Sequence, residues 1–287
     1  MTARRLARHE VLGAHAASIA KSCARLALKR IRRTPQRVAC EYDAGRWAQV
    51  LAARAWERAP NLEAFLVGTS QRPLLALVDA LSCRLSEADY MRYRLGALTR
   101  LVARGLGEEM PLVELGCGYG YNLLSLSLAY PQRRFLGLDI SPTGIAAARA
   151  IAAWFGLAHR IEFAAIDLTD PGDDNFGRLK DKGVLTFFCL EQVPIHVEGV
   201  LRRIAAAAPA RVLHAEPAAE MLSVLRPADW ANILYVRSMH YQTSLIAALQ
   251  RMRKRGKIEL IDTSGLAFAP TIQQVGLAAV WAPRAGG

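Results

Sequence analysis

Glu114 stands two residues ahead of Gly116, and Gly118 and Gly120 follow at the same interval. The set lies where the hydrophobic run at residues 112–115 gives way to a helix-like stretch at 121–130, YNLLSLSLAY. Glycines at such a corner can take φ > 0 or let a ligand approach the main chain. The free N–H groups at the start of the helix would face whatever lies above it. A dinucleotide fingerprint, Gly-x-Gly-x-x-Gly, fails in both registers, because the third glycine would fall on Tyr121 or on Leu123. No Gly-Lys-Ser/Thr run is present, which excludes a P-loop. Cys117 sits inside the turn, where a small side chain is needed, and reads as packing. On its own, the motif is equally a tight strand-to-helix corner with no ligand.

Four further hydrophobic runs stop at polar residues. They are residues 134–140 with Asp139, 160–168 with Asp167, 183–190 ending at Glu191, and 211–214 ending before Glu216. Helical stretches separate most of them, which implies a parallel sheet covered on both faces. In such sheets ligands bind beyond the carboxyl ends of the strands. Any one of the five acids reads as a loop acid or a helix cap; together they point to one rim. Asp139 follows Glu114 by about 20 residues or a little more, the spacing of a ribose-binding acid. Two last strands are expected at 257–262 (KIELID) and 275–281 (VGLAAVW), with Gly265 and Pro270 between them.

Over roughly residues 90 to 283 this pattern resembles the class I S-adenosylmethionine-dependent methyltransferases, through the acid-led glycine turn and the acid at 139. The resemblance implies an α/β, Rossmann-like fold. Its sheet has seven mostly parallel strands and an antiparallel C-terminal hairpin, with helices on both faces. It implies S-adenosyl-L-methionine as cofactor, with Glu114 orienting the methionyl amino group or tuning the turn. Gly116, Cys117, Gly118 and Gly120 would line the ligand. Asp139 with Ile140 would take the ribose, and Asp167 with Leu168 the adenine; Glu191 would also border the cofactor. Tyr93 and Arg94 resemble positions that hold the methionine carboxylate, or else form an aromatic stripe against the sheet. The Asn/Asp-Pro-Pro-aromatic run of enzymes that methylate base amines is missing; residues 189–196, CLEQVPIH, stand in its place. The Gln192-Val193-Pro194 loop and the Glu216-Pro217 step resemble those of small-molecule and natural-product enzymes.

The reaction so implied is attack by an acceptor oxygen or nitrogen on the sulfonium methyl, which positioning alone does much to accelerate. A hydroxyl acceptor needs a base, whereas a carboxylate is already ionised. Candidate catalytic groups are His196, His240 and Glu191. Candidate acceptor contacts are Gln192, His214, Glu216, Tyr235 and Tyr241, and His214 is equally a satisfied core imidazole. No metal site is expected.

Positioning these groups requires the rest of the chain. Its 287 residues are 52% hydrophobic, enough for one sizeable core and an accessory element. Residues 1–95 read as an N-terminal helical cap, with helices near 11–31, 47–57 and 73–85 and a fourth at 87–106. Residues 96–287 read as the cofactor-binding domain, with 218–256 as a helical insertion over the acceptor. The basic N-terminal stretch reads as a helix of the mature protein rather than a signal peptide. It offers a surface for pairing two copies. Five scattered cysteines suggest neither disulfides nor zinc, and a reducing cytoplasm is the default. No run is long and apolar enough for a membrane span. The net charge of +12 raises nucleic acid as a partner, but aromatics are not interleaved with the basic clusters. The expected acceptor is therefore a small molecule or a biosynthetic peptide. An RNA methyltransferase and a non-catalytic cofactor-binding subunit are the alternatives.

Overall fold

A computed structural model describes residues 3–28, 34–193, 197–272 and 276–284. Strand β1 (Arg4–Arg5) leads into helix α1 (Arg8–Leu28). Helices α2 (Pro35–Cys40) and α3 (Ala48–Ala53) flank a π-helical stretch, Glu41–Trp47. A 3₁₀ turn at Ala55–Arg58 and helix α4 (Leu62–Val67) follow. Strands β2 (Pro73–Val78) and β3 (Leu81–Ser86) then form a hairpin, and α5 (Glu87–Leu106) runs back toward the main sheet.

The expected helix at 73–85 is therefore wrong, and the N-terminal segment is not wholly helical. Its Leu-rich stretch satisfies a helical spacing but also alternates. Asp79 and Ala80 both take positive φ (49° and 63°), which closes a two-residue hairpin turn. Partners distant in sequence fix the choice. The hairpin pairs with β1 on one edge, and Leu77 bridges Ala269. The helix expected at 47–57 is also broken: the π-helical stretch ends at Trp47, and Arg54 turns left-handed after α3.

The second half alternates strand and helix. It comprises β4 (Leu112–Leu115), α6 (Tyr121–Ala129), β5 (Phe135–Asp139), α7 (Pro142–Trp154), β6 (Ile161–Ala165), β7 (Gly183–Phe187), α8 (Val197–Ala206) and β8 (Arg211–Pro217). After α9 (Trp230–Met239) and α10 (Leu245–Lys254), the hairpin β9 (Ile258–Gly265) and β10 (Gly276–Pro283) closes the sheet. Strand order is β6-β5-β4-β7-β8-β10-β9. The first five strands are parallel, and β10 pairs antiparallel with both β8 and β9. This is the α/β sheet the sequence implied. All residues of β4, β5 and β7 are buried, as central strands covered on both faces must be. One core packs Leu98, Leu106 and Leu124 against one face; the other packs Val200, Leu249 and Met252 against the opposite face. Order reverses at β4, between β5 and β7, so a crevice opens at its carboxyl end. Helix α1 lies along α9, which brings the N-terminal segment against the 218–256 insertion.

Candidate active site

A cavity of about 490 Å³ occupies this crevice, within the range of small-molecule sites. Gly116 and Gly118 form its floor, with φ of 73° and 54°, conformations that favour glycine. A Cβ on Gly116 would strike Cys189, and one on Gly118 would lie 2.7 Å from the Trp47 ring. Four N–H groups of the turn are engaged within the protein. Gly116 and Cys117 donate to the Leu138 carbonyl (2.7 and 3.2 Å), Gly118 to Asp139 Oδ2 (2.7 Å) and Gly120 to the Cys117 carbonyl (2.9 Å). The expectation that the Gly116 and Gly118 N–H groups face a ligand is thus corrected, while the helix start at Tyr121 is not affected by these bonds.

Asp139 ends β5 inside the cavity. Its Oδ1 accepts from the Ser141 N–H (2.8 Å), so each oxygen holds one backbone donor and keeps acceptor capacity for a diol. Burial, and to a lesser extent the Asp43 charge, push its pKa up, and the backbone N–H groups of Ser141, Gly118 and Ile140 pull it back. Asp167, Ile140 and Leu168 also line the cavity. Asp167 Oδ1 is held by the Thr169 N–H and hydroxyl (2.8 and 2.7 Å).

Glu114 lies behind the turn, fully buried and not among the lining residues. Its Oε1 accepts from Asn122 Nδ2, and its Oε2 has no partner. Burial carries its pKa up to about 8. Arg94 reaches the same asparagine, Nη2 donating to Asn122 Oδ1 (2.5 Å). The guanidinium stacks over Tyr121 (4.5 Å) and Phe187 (4.9 Å), while its buried Nη1 has no partner. A buried guanidinium donor left unpaired in a cavity is costly unless a ligand acceptor completes it.

The remaining expectations divide. Glu191, Gln192, Tyr235 and Tyr241 line the cavity, as do Gly116, Cys117 and Gly118. Gln192 Nε2 donates to Glu191 Oε1 (2.8 Å). Burial pushes the Cys117 thiol up, in keeping with a packing role. Tyr93 is turned away: its hydroxyl donates to Asp79 Oδ1 (2.8 Å) and accepts from the Asp79 N–H (2.9 Å), because the unforeseen hairpin stands beside α5. Gly120 packs toward Phe163 beneath the floor. Strand β8 runs on to Pro217, so His214 and Glu216 are sheet residues with no exposed surface. His214 Nδ1 lies 2.9 Å from Thr186 Oγ1, and burial drives its pKa down to about 3, leaving it neutral. Glu216 Oε1 accepts from the Cys189 N–H (3.1 Å), holding the turn that carries Glu191; burial lifts its pKa to about 7. His240 ends α9 in a left-handed conformation and does not line the cavity. His196 lies outside the described residues.

Sequence reasoning missed the strap that covers the site, Glu41–Trp47. Asp43 Oδ1 accepts from the Ser141 hydroxyl (2.6 Å) and the Thr143 N–H (2.7 Å), docking the strap on the first turn of α7. Trp47 lies over Gly118 and packs on Tyr119 and Tyr42. Tyr42 and Arg46 of the strap line the cavity. Asn122 was also missed, though its place in the first turn after the glycine corner was a usable signal.

Residues 106–266 match the family described as methyltransferase domain. Among solved structures, geranyl diphosphate methyltransferase in complex with geranyl diphosphate and sinefungin is similar in fold at 10% identity. The likeness covers 69% of this chain and 80% of that one, with a TM-score of 0.50. A chain from the complex between the Haloferax volcanii Trm112 methyltransferase activator and its methyltransferase is 17% identical. It covers 69% and 92% of the two chains, with a TM-score of 0.49. An uncharacterized protein of Rickettsia prowazekii (strain Madrid E) is 38% identical over 71 residues, 25% of this chain. The match spans 12% of that curated relative's length.

Proposed function

Because this chain belongs to the methyltransferase-domain family, whose cofactor is S-adenosylmethionine, we propose that it methylates an oxygen or nitrogen of a small acceptor. The observation that carries the reading is the unpaired Arg94 Nη1 beside a glycine corner whose Gly118 N–H is held by Asp139. Such a pocket suits a ligand with a carboxylate at one end and a ribose diol at the other.

Arg94 would hold the methionyl carboxylate, with Asn122 to meet the ammonium and Glu114 behind it orienting Asn122. Asp139 would accept the ribose hydroxyls, and Asp167 the adenine amino group between Ile140 and Leu168. When bound, S-adenosylmethionine supplies an electrophilic methyl on a cationic sulfur. The chain's own work is positioning and water exclusion. Trp47 and Tyr119 close the floor from above, and aromatic faces tolerate a nearby cation. Glu191 is the acid placed to accept a proton from a hydroxyl acceptor, and Gln192 fixes its orientation.

The basic residues near the end of α10 do not favour a nucleic-acid track. Arg251 and Arg255, together with Arg202, converge on Glu198. Among the described residues no helix is long and apolar enough to cross a membrane.

The test is incubation of the protein with S-adenosylmethionine and a panel of hydroxy, carboxy and amino acceptors, followed by mass spectrometry. Acceptor-dependent formation of S-adenosylhomocysteine is expected. Saturable cofactor binding with no product across the panel would instead mark a non-catalytic subunit.

A further inference from the structure

Among the described residues lining the cavity, two are cationic, Arg94 and Arg46. Arg94 is committed to Asn122 and to the cofactor's carboxylate. Arg46 is not so committed. It is exposed at the mouth and stacks over the Tyr42 ring at 4.9 Å, and among the described residues it has no carboxylate partner. Stacking holds the planar fork without using its donors, and that fork matches a carboxylate bidentately.

The walls around it are aromatic. Tyr235 of α9 meets Tyr241 edge-on at 6.1 Å, and Phe188 meets Phe187 at 4.7 Å. Phe188 holds a left-handed backbone (φ 51°) immediately after β7 while lining the cavity. Strain of that kind in a bulky residue is retained where the site needs the ring aimed there. Burial and the Glu191 charge raise the Tyr235 pKa, and the Tyr241 hydrogen bond and the charges of Arg25 and Arg46 oppose the rise, so both Glu191 and Arg46 act on the space Tyr235 borders.

Charge then limits the ligand. Of the three lining acids, Asp139 and Asp167 are assigned to the adenosine, and Glu191, oriented by the neutral Gln192, remains the acid at the acceptor end. With Glu191 in the same space, one uncommitted cation can serve one carboxylate at most, whereas a phosphate monoester would bring nearly two negative charges.

We infer that the acceptor is a planar aromatic molecule bearing a single carboxylate, anchored by Arg46 with its ring among Tyr42, Tyr235 and Phe188. The inference rests on the methyl-transfer reading, and it concerns the anchor, not the atom that is methylated.

The experiment uses the full chain saturated with S-adenosylhomocysteine and two fluorescent probes, coumarin-3-carboxylate and its neutral carboxamide. Wild type should bind the carboxylate about tenfold more tightly. Arg46→Gln should reduce that preference to within about twofold, and Arg46→Lys should keep only part of it because the fork is lost. The carboxamide affinity and the S-adenosylhomocysteine affinity should stay unchanged in both variants, which also reports an intact fold. Equal binding of the two probes to wild type, binding of neither at millimolar concentration, or an undiminished preference in Arg46→Gln overturns the inference. Failure of wild type to bind S-adenosylhomocysteine would instead overturn the methyl-transfer reading.

Discussion

Replacing Arg94 with Met separates recognition of the amino-acid end from recognition of the nucleoside. Methionine is also long and unbranched, and its sulfur packs well on the rings of Tyr121 and Phe187. What it removes is the cation, the bond to Asn122 Oδ1 and the unpaired Nη1. A hydrogen bond to a charged group contributes about 1.5–3 kcal/mol. Affinity for S-adenosylhomocysteine should therefore fall about 10- to 150-fold. 5′-Methylthioadenosine carries the same adenosine and no carboxylate, so its affinity should change less than about threefold. The Arg94 charge also holds the Glu114 pKa down, so the variant should keep Glu114 protonated to higher pH. Isothermal titration calorimetry with both ligands on both proteins reads the difference. An equal loss for the two ligands would mean that Arg94 supports the fold rather than the carboxylate, and no loss for either would remove it from the site.

Glu114 is held near 8 in the folded protein against an ordinary value of 4.5, so between these values the unfolded chain binds fewer protons. Stability from this group is complete below about pH 4.5 and is lost as pH rises toward 8. Glu114→Gln should flatten that fall in thermal melts and leave the contribution of Glu216, near 7; an unchanged slope would refute it. Gly118→Ala should lower the melting temperature and shift tryptophan fluorescence. A left-handed alanine costs roughly 1 kcal/mol, and its Cβ must displace the Trp47 ring. Unaltered fluorescence would count against that contact. Asp43→Ala removes two acceptor bonds from the start of α7, a loss of about 1 kcal/mol. Stopped-flow measurement should show S-adenosylhomocysteine leaving about fivefold faster; an unchanged off-rate would mean the strap does not gate the site.

The parallel strands were legible because each is a short apolar run that must be buried on both faces and stop at the rim. Asp139, Asp167 and Glu191 could be assigned to the cavity edge for that reason. Glu216 was misplaced because β8 continues past His214, and burial of Glu216 depends on the covering turn at Leu190–Gln192. The hairpin after Pro73 was hidden because its pattern fits two periods, and pairing with β1 and Ala269 decides between them. Tyr93 followed that error, since its partner Asp79 is in the hairpin turn. The strap had no local signature: EYDAGRW is anchored by Ser141 and Thr143, about a hundred residues away. Arg46 and Trp47 could not be assigned before the chain was folded.

The most direct measurement is a calorimetric titration of the purified full chain with S-adenosylhomocysteine and, separately, with NADH. A corner that lacks the third glycine of the dinucleotide pattern, bordered by Asp139 and Arg94, predicts saturable heat at one site per chain for the first and none for the second. Silence with S-adenosylhomocysteine at millimolar concentration, or tight uptake of the dinucleotide, would contradict the account.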